Sequence, residues 1–488
     1  MIKLSQILSD VTPIKLFGSN DIAVNAIQID SRKVKSGDCF VAVKGTTVDA
    51  HQFIDSVIAA GAVVVVCQEL PAQLMENIVY VQVTDSADAL GKMAAAFYGN
   101  PSHDLKLVGV TGTNGKTSVA TLLYRFFSKL DFNVGLLSTV ENKINEEVIP
   151  ATHTTPDPIQ LNTLLRKMVD AGCAYCFMEV SSHAVDQKRI SGLKFEGAIF
   201  TNITHDHLDY HKTFENYLKA KKAFFDNLSS SAFAITNADD RNGMVMLQNC
   251  NARKFSYSLK SNSDYKCKII ENSVFGLHIS LDGIEVHTSL IGEFNAYNIT
   301  SVYAACVQLG IDKMEALQII SSLQPPPGRF QQILSKNEKI LGIIDYAHTP
   351  DALKNVIHTI RELKQDNQLL ITVIGCGGDR DKTKRPLMGQ VASRFSDKCI
   401  LTSDNPRSEN PSEIINEMYQ GVEITDRKIV LINTDRREAT KMAVSLAGPN
   451  DIILLAGKGH EKYQEISGVK HNYDDVAVLS ELFYELEK

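Results

Sequence analysis

Lys116 and Thr117 stand at the head of a helical pattern, directly behind Thr111-Gly112-Thr113-Asn114-Gly115 and an apolar run at 105–110. A lysine and a hydroxyl residue in that position suit phosphate chemistry. Glycines let the backbone approach a ligand, and the free N–H groups of a first helical turn favour an anion. A lysine there offsets β/γ-phosphate charge, and the hydroxyl of Thr117 or Ser118 can ligate Mg²⁺. The spacing departs from the strict phosphate-loop pattern, because the residue six before Lys116 is Val110 and the nearest upstream glycine is Gly109. An ordinary strand–turn–helix also carries turn glycines. The Gly-Lys-Thr triplet behind a buried strand is what separates the two readings.

Other chemistry-bearing groups are spread along the chain. Glu179 closes the strand-like run YCFMEV, and behind Thr204 the stretch His205 to His211 packs three histidines and two aspartates into seven residues. Beside a nucleotide loop the metal for such groups is Mg²⁺, which needs only one or two protein ligands because phosphates and waters complete its shell. Lys219, Lys221 and Lys222 lie in a helical pattern at 217–227 that reads as a solvated basic face. Asn295 and Asn298 share one helical face, where they either grip a base or cap the helix. Polar clusters recur at Asp345-Tyr346-Ala347-His348, Gly377 to Asp381, Asp404-Asn405-Pro406-Arg407 and Gly457-Lys458-Gly459-His460-Glu461.

The elements that must position these groups alternate between apolar runs and helical patterns. Residues 1–98 read as a small α/β domain, with strands at 38–45 and 63–67 and helices at 53–62 and 86–99. Residues 99–331 form a central domain that opens with the phosphate loop and builds a mostly parallel sheet. Pro325-Pro326-Pro327-Gly328-Arg329 is the stiffest stretch and marks the junction to a third domain, 332–488. That domain has strands at 340–345, 369–375, 399–403, 428–433 and 451–457, with helices beginning near Pro350, Arg385, Pro411 and Arg436. The fold expected is therefore α/β with three domains: a small N-terminal α/β domain, a central P-loop-type sheet and a C-terminal Rossmann-like open sheet. Parallel strands bring all four polar clusters of the last domain to one sheet edge, where a crevice forms.

At 488 residues, and about 150 per domain, three cores are expected, and 44% hydrophobic residues supply them. A net charge of −7 argues against nucleic acid or an anionic membrane as the main partner. No stretch approaches the ~20 apolar residues of a membrane span, and the N-terminus lacks the pattern of a secretory signal, so a cytoplasmic protein with no membrane insertion is expected. The nine cysteines read as reduced, buried thiols, and Cys173/Cys176 is a lone pair with no second half of a zinc site. From the residues alone this is an enzyme that binds ATP and Mg²⁺ opposite a second polar crevice. Kinase, ligase and ATPase remain open.

Taken together, Thr111 to Thr117, Glu179-Val180-Ser181-Ser182-His183, Asp206-His207-Leu208-Asp209, Asn295/Asn298, Asp345 to His348 and Gly457 to Glu461 resemble the Mur ligases of peptidoglycan synthesis over essentially the whole chain. Within that family Asp404-Asn405-Pro406-Arg407 is similar to the turn of the branch that adds meso-2,6-diaminopimelate to UDP-N-acetylmuramoyl-L-alanyl-D-glutamate, whereas lysine-adding relatives lack the arginine. The resemblance implies ATP as co-substrate on Thr111, Gly112, Thr113, Asn114, Gly115, Lys116, Thr117, Asn295, Asn298, Arg329 and Asp345. It implies Mg²⁺ on Thr117, Glu179, His207 and Lys221, the last as a carbamate (N6-carboxylysine), with Lys116, Glu179, His207 and Lys221 as the catalytic set.

The same resemblance implies that Ser31, Thr46, Thr47, Val48, Thr154, Thr155, Ser181, Gln187 and Arg189 hold the uridine-nucleotide substrate. Arg380, Asp404, Asn405, Pro406, Arg407, Gly457 and Glu461 would hold diaminopimelate. A planar guanidinium at Arg407 suits the distal carboxylate that lysine lacks. His183, His205, His211 and His348 are candidates for proton handling, with no base assigned. The implied protein is a cytoplasmic monomer making an amide through an acyl phosphate. The rival readings are a lysine-adding or folylpolyglutamate synthetase-like ligase, or a nucleotide-binding scaffold that has lost catalysis.

Overall fold

The structure is a computed structural model that describes the chain except residues 46–47, 152 and 205–207 and the side chains of 208 and 209. Short, fully buried apolar runs become parallel strands wherever helices cover both faces, and three such sheets follow one another along the chain.

The first sheet runs, from edge to edge, Lys15–Phe17, Val79–Gln82, Val64–Cys67, Cys39–Val41, Ile27–Gln28, all parallel except the first. The strand expected over 38–45 is therefore only three residues long. Ser86–Phe97 covers one face and is capped by Asp85, whose carboxylate accepts from Ala87 N and Asp88 N.

The central sheet has eleven strands among the described residues. Its middle is parallel, in the order Val134–Leu137, Tyr175–Glu179, Lys106–Thr111, Gly197–Phe200, Phe233–Asn237, Arg253–Ser258. Antiparallel strands Asn142–Ile144 and Glu147–Ile149 extend one end; at the other, Tyr265–Ser273 joins parallel to Arg253–Ser258, and Gly276–Leu281 and Ile284–Thr288 follow antiparallel. Helices Lys116–Lys129 and Glu293–Gln308 pack one face through Leu122, Leu123, Phe126, Ile299 and Val302. Helices Pro158–Asp170 and Phe214–Asp226 pack the other through Leu161, Leu165, Phe224 and Phe225. The latter helix begins a turn before the expected Tyr217, because Thr213 caps it by accepting from Asn216 N.

The third sheet runs Gln331–Leu334, Leu341–Asp345, Ile452–Ala456, Leu370–Ile374, Lys398–Leu401, Val430–Ile432, parallel except for its first strand. A hairpin, Tyr463–Ile466 with Val469–Asn472, stands over its carboxyl edge. The last two sheets touch through the junction, where Arg125 donates to the carbonyls of Gln324 (2.9 Å) and Pro325 (3.0 Å), and Asn114 Nδ2 donates to Asp351 Oδ2 (3.3 Å). All nine cysteines are free and buried. Among the described residues no helix is long and apolar enough to cross a membrane.

Candidate functional site

Strand Lys106–Thr111 delivers Gly112–Gly115 to the start of helix Lys116–Lys129, and the neighbouring strand end braces that loop. Thr113 N donates to Asn202 O (2.8 Å), Asn114 N to Asn202 Oδ1 (2.9 Å), and Thr201 Oγ1 to Asn114 O (2.6 Å). Lys116 Nζ folds over the loop onto the carbonyls of Gly112 (2.9 Å) and Thr113 (2.8 Å), so its charge sits at the loop's mouth. Gly115 has φ +89°, and a Cβ there would lie 2.7 Å from Asn298 Oδ1. A side chain there would meet both the left-handed backbone and the Asn298 amide, so the glycine lets the loop and that helix approach closely. Asn298 Nδ2 donates to Asn295 Oδ1 (3.1 Å), while Asn295 Nδ2 bonds Ile291 O (2.8 Å) and fastens the start of its own helix.

Glu179 ends the strand beside the loop's own, in register with Val110, and is buried. Its Oε1 accepts from Thr139 N (2.7 Å) and its Oε2 from Thr139 Oγ1 (3.2 Å). Thr139 Oγ1 also lies within hydrogen-bond distance of Thr154 Oγ1 (3.0 Å), and Thr155 Oγ1 donates to Glu179 O (2.8 Å) while accepting from Ser181 N (3.2 Å). Arg189 reaches Thr155 O (2.7 Å) and Gln187 Oε1 (2.7 Å), and Gln187 Nε2 donates to Tyr210 OH (3.1 Å). Thr154, Thr155, Ser181, Gln187 and Arg189 thus form one network with Glu179. His211 is buried against Ser182 Oγ (2.9 Å), with the His183 ring 5.5 Å from its own.

Of the three lysines in Phe214–Asp226, Lys219 is solvated and pairs with Glu215, while Lys222, its side chain only 13% exposed, pairs with Asp226. Lys221 differs from both. It is 1% exposed, donates to Gly112 O (2.8 Å) and lies 4.7 Å over the Tyr217 ring, which overturns the bland reading for that residue. His205, Asp206 and His207 lie outside the described residues, as do Thr46 and Thr47. Val48 is half exposed, and Ser31 opens the short turn Ser31–Lys33, capped by Asp30. None of the described contacts brings Ser31 or Val48 against the loop at 112–117.

On the third sheet the four polar clusters leave the carboxyl ends of parallel strands. Asp345 is buried and accepts from Phe330 N (2.7 Å); burial pushes its carboxyl up to about 6, against the opposing pull of Arg329. Arg329 bridges the two crevices: its guanidinium lies 4.7 Å over Tyr346 and its Nη2 donates to Thr117 Oγ1 (3.1 Å). His460, 4.9 Å from the same ring, is pushed down to about 3 by burial first and by the Arg329 charge second, and so is neutral near pH 7. His348 Nδ1 pairs with Tyr346 O (2.9 Å).

Asp404, Asn405 and Glu461 surround the ammonium of Lys458, which is fully buried: Asn405 Oδ1 at 3.0 Å, Asp404 Oδ1 at 3.2 Å, Glu461 Oε2 at 3.5 Å. Asn405 Nδ2 donates to Glu461 Oε2 (2.7 Å), and Gln464 Nε2 to Asp404 O (2.7 Å). Burial, reinforced by Asp404, raises the Glu461 carboxyl. Gly457 N donates to Asp345 O (3.0 Å). Arg407, after Pro406, takes φ +52°, and its Nη1 donates to Gly378 O (2.7 Å). Arg380 stands apart: it is exposed, with one long contact to Asp379 O (3.5 Å).

Several functional neighbours escape the sequence reading. Arg385 is fully buried and ties Glu409 (2.8 Å), Glu417 (2.7 Å) and Gly377 O (3.3 Å), so one guanidinium braces the loops that carry Arg380 and Arg407. Arg436 is equally buried, paired with both oxygens of Asp475 (2.8 and 3.0 Å) and with Ala456 O (3.0 Å) under the Gly457 loop. Thr139, Gln464 and Glu465 are likewise new. No group of three or more His, Cys, Asp and Glu among the described residues gathers as a metal site, Cys173 and Cys176 included.

Three family models match the chain in order: "Mur ligase family, catalytic domain" over 23–98, "Mur ligase middle domain" over 110–306, and "Mur ligase, glutamate ligase domain" over 328–459. The UDP-N-acetylmuramoyl-L-alanyl-D-glutamate–2,6-diaminopimelate ligase of Cytophaga hutchinsonii is 54% identical and covers 100% of both chains. That of Bacteroides fragilis is 52% identical over 99% of each. A solved structure of a ligase of the same name superposes with a TM-score of 0.71 at 32% identity, covering 100% of this chain and 99% of its own.

Proposed function

The chain belongs to the Mur ligase family, and on that premise we infer that it is an ATP-dependent ligase adding 2,6-diaminopimelate to UDP-N-acetylmuramoyl-L-alanyl-D-glutamate. The amino acid is the meso isomer, and the new amide forms at the D-glutamate γ-carboxylate. What carries the reading is the carboxyl edge of the third sheet, where a buried network of Asp404, Asn405, Lys458 and Glu461 adjoins Arg407, while Arg329 reaches from that side to Thr117 of the phosphate loop.

The reaction runs in two steps. The γ-carboxylate attacks the γ-phosphorus of ATP, ADP leaves, and an acyl phosphate results. Lys116 and the N–H groups of its helical turn offset the negative charge that gathers there. The deprotonated amine of diaminopimelate then attacks the acyl carbon, and the tetrahedral adduct expels phosphate. Thr154, Thr155, Ser181, Gln187 and Arg189 hold the acceptor peptide beside Glu179. Ser31 and the segment 46–48 hold its uridine nucleotide on residues 1–98. Asp404 and Glu461 take an ammonium of the incoming amino acid, and Arg407 its distal carboxylate. Residues 99–331 and 332–488 meet across the reaction, and closure excludes water from the acyl phosphate.

Thr117 and Glu179 fit magnesium, since both offer buried oxygen donors that flank the loop, and the ion completes its shell with phosphates and water. His207 and a carbamate on Lys221 would supply the remaining ligands; when bound, Mg²⁺ offsets phosphate charge and polarises the transferred phosphoryl group. Of the two adjacent lysines, Lys221 is the buried one, next to Gly112, which favours it over Lys222.

The test supplies purified protein with ATP, Mg²⁺, the UDP-muramoyl-dipeptide and either meso-diaminopimelate or lysine, and follows ADP and tripeptide. Product is expected with diaminopimelate alone, and Arg407→Ala should lower kcat/KM for it by about 30-fold or more, the loss of a charge-assisted bidentate contact of ~2 kcal/mol. Equal use of lysine by the wild type would overturn the reading.

A further inference from the structure

Arg407 is held in an unusual way. Its backbone sits in the left-handed region, which costs a non-glycine residue about 1–2 kcal/mol and persists only where surroundings enforce it. The enforcing element is the hairpin Tyr463–Ile466/Val469–Asn472. Arg407 N donates to Glu465 O (3.0 Å), and Ser467 N donates to Arg407 O (2.7 Å). Glu465 N meanwhile donates to Asn405 Oδ1 (2.9 Å), so one residue grips the turn on both sides of Pro406. The Glu465 carboxylate then reaches the side chain, with Oε2 3.4 Å from Arg407 Nε. Nη1 is hydrogen-bonded to Gly378 O (2.7 Å) and Nε is in ion-pair contact with Glu465, so two of the three guanidinium nitrogens face oxygens of the protein. No acceptor among the described residues lies against Nη2.

A free arginine carries about 2 kcal/mol of rotamer freedom, which a ligand carboxylate must quench on binding. Here the protein has already quenched it. We propose that Glu465 is a positioning residue for the amino-acid site, fixing the Arg407 guanidinium so that its untethered edge is preset for the carboxylate of the incoming amino acid. This rests on the functional reading above. Glu465 touches Arg407 rather than the substrate, and it acts through the ion pair that holds the guanidinium in place.

The experiment compares wild type, Glu465→Ala and Glu465→Gln by initial rates, with diaminopimelate and ATP varied separately. Glu465→Ala should raise KM for diaminopimelate at least tenfold while kcat and KM for ATP stay within twofold. Glu465→Gln keeps the side chain's length but removes the ion pair, and should raise KM for diaminopimelate at least threefold with kcat and melting temperature near wild type. A general loosening of the hairpin would move kcat and melting temperature together. An unchanged KM in the alanine variant, a loss confined to kcat, or a glutamine variant with the wild-type KM would each overturn the proposal. A wild type that makes no product with diaminopimelate would instead overturn the functional reading, and the two failures are separated by that arm.

Discussion

Replacing Lys458 by methionine should destabilise the third domain by about 3 kcal/mol at pH 8 and by much less at pH 5. Methionine nearly matches the lysine stem, so little cavity opens and the loss is chiefly the charge. The ammonium is fully buried, with its three partners within 3.5 Å. Removing one member of a buried ion cluster costs about 3–5 kcal/mol, because the remaining charges lose compensation without regaining water. The lower end applies here, since the side chains of Asp404 and Glu461 keep 9% and 15% exposure. Protonation offers an escape. Burial and Asp404 already raise the Glu461 carboxyl, and Lys458 is the main influence holding it down. Without the ammonium, Glu461 binds its proton more tightly in the folded state than in the unfolded chain, where the value is about 4.3. Stability of the variant therefore falls as pH rises from the unfolded value through the raised folded one, and the gap to wild type widens over that window. The chain has no tryptophan, so local hydrogen exchange in peptides spanning 398–407 and 452–466, at pH 5, 6.5 and 8, is the suitable readout. A penalty that is the same at all three values, or below about 1 kcal/mol at pH 8, would refute the argument that this ammonium neutralises the two carboxylates.

Asp345, raised to about 6 by burial, makes the folded state bind a proton more tightly than the unfolded chain does, so its contribution to stability declines as pH climbs from about 4 to about 6. Asp345→Asn should abolish that slope, on the order of 3 kcal/mol over the window, and a slope unchanged in urea titrations would count against the assignment. Gly328 has φ +65°, and a Cβ there would fall 2.1 Å from His460 N and 2.3 Å from Gly459 C. Gly328→Ala should therefore cost about 3 kcal/mol through overpacking and left-handed strain together, with exchange protection lost in the 457–461 loop; a shift under about 1 kcal/mol in denaturation would contradict the contact.

The alternation of strands and helices was legible because parallel strands covered on both faces must be apolar throughout, and Ile452–Ala456 or Leu370–Ile374 contain nothing else of consequence. Edge strands obey no such rule. Gln331–Leu334 and the two arms of the hairpin, YQEI and VKHN, are polar enough to pass for loop. Their one signal was Ser467-Gly468, both at positive φ, the residues a two-residue hairpin turn requires. Lys221 was mistaken for surface because its neighbours are lysines. Its phase was readable, though: it lies four after Tyr217 and three before Phe224, on the buried face. Arg436 and Asp475 had no such marker. Each opens a helix behind a capping aspartate, where a charge is commonplace, and only the fold brings them together across 39 residues of chain.

The junction that sequence composition marked as a separator turns out to touch both crevices. Gly328 packs on the Gly459–His460 backbone, Arg329 bonds Thr117 and lies over Tyr346, and Phe330 N holds the Asp345 carboxylate. Three successive residues therefore touch the 457–461 loop, the helix start at Thr117 and the strand end at Asp345. A rotation of one sheet against the other would have to break or remake contacts at all three. Pro325-Pro326-Pro327 leaves few backbone states before Gly328, which suits a junction held at several points.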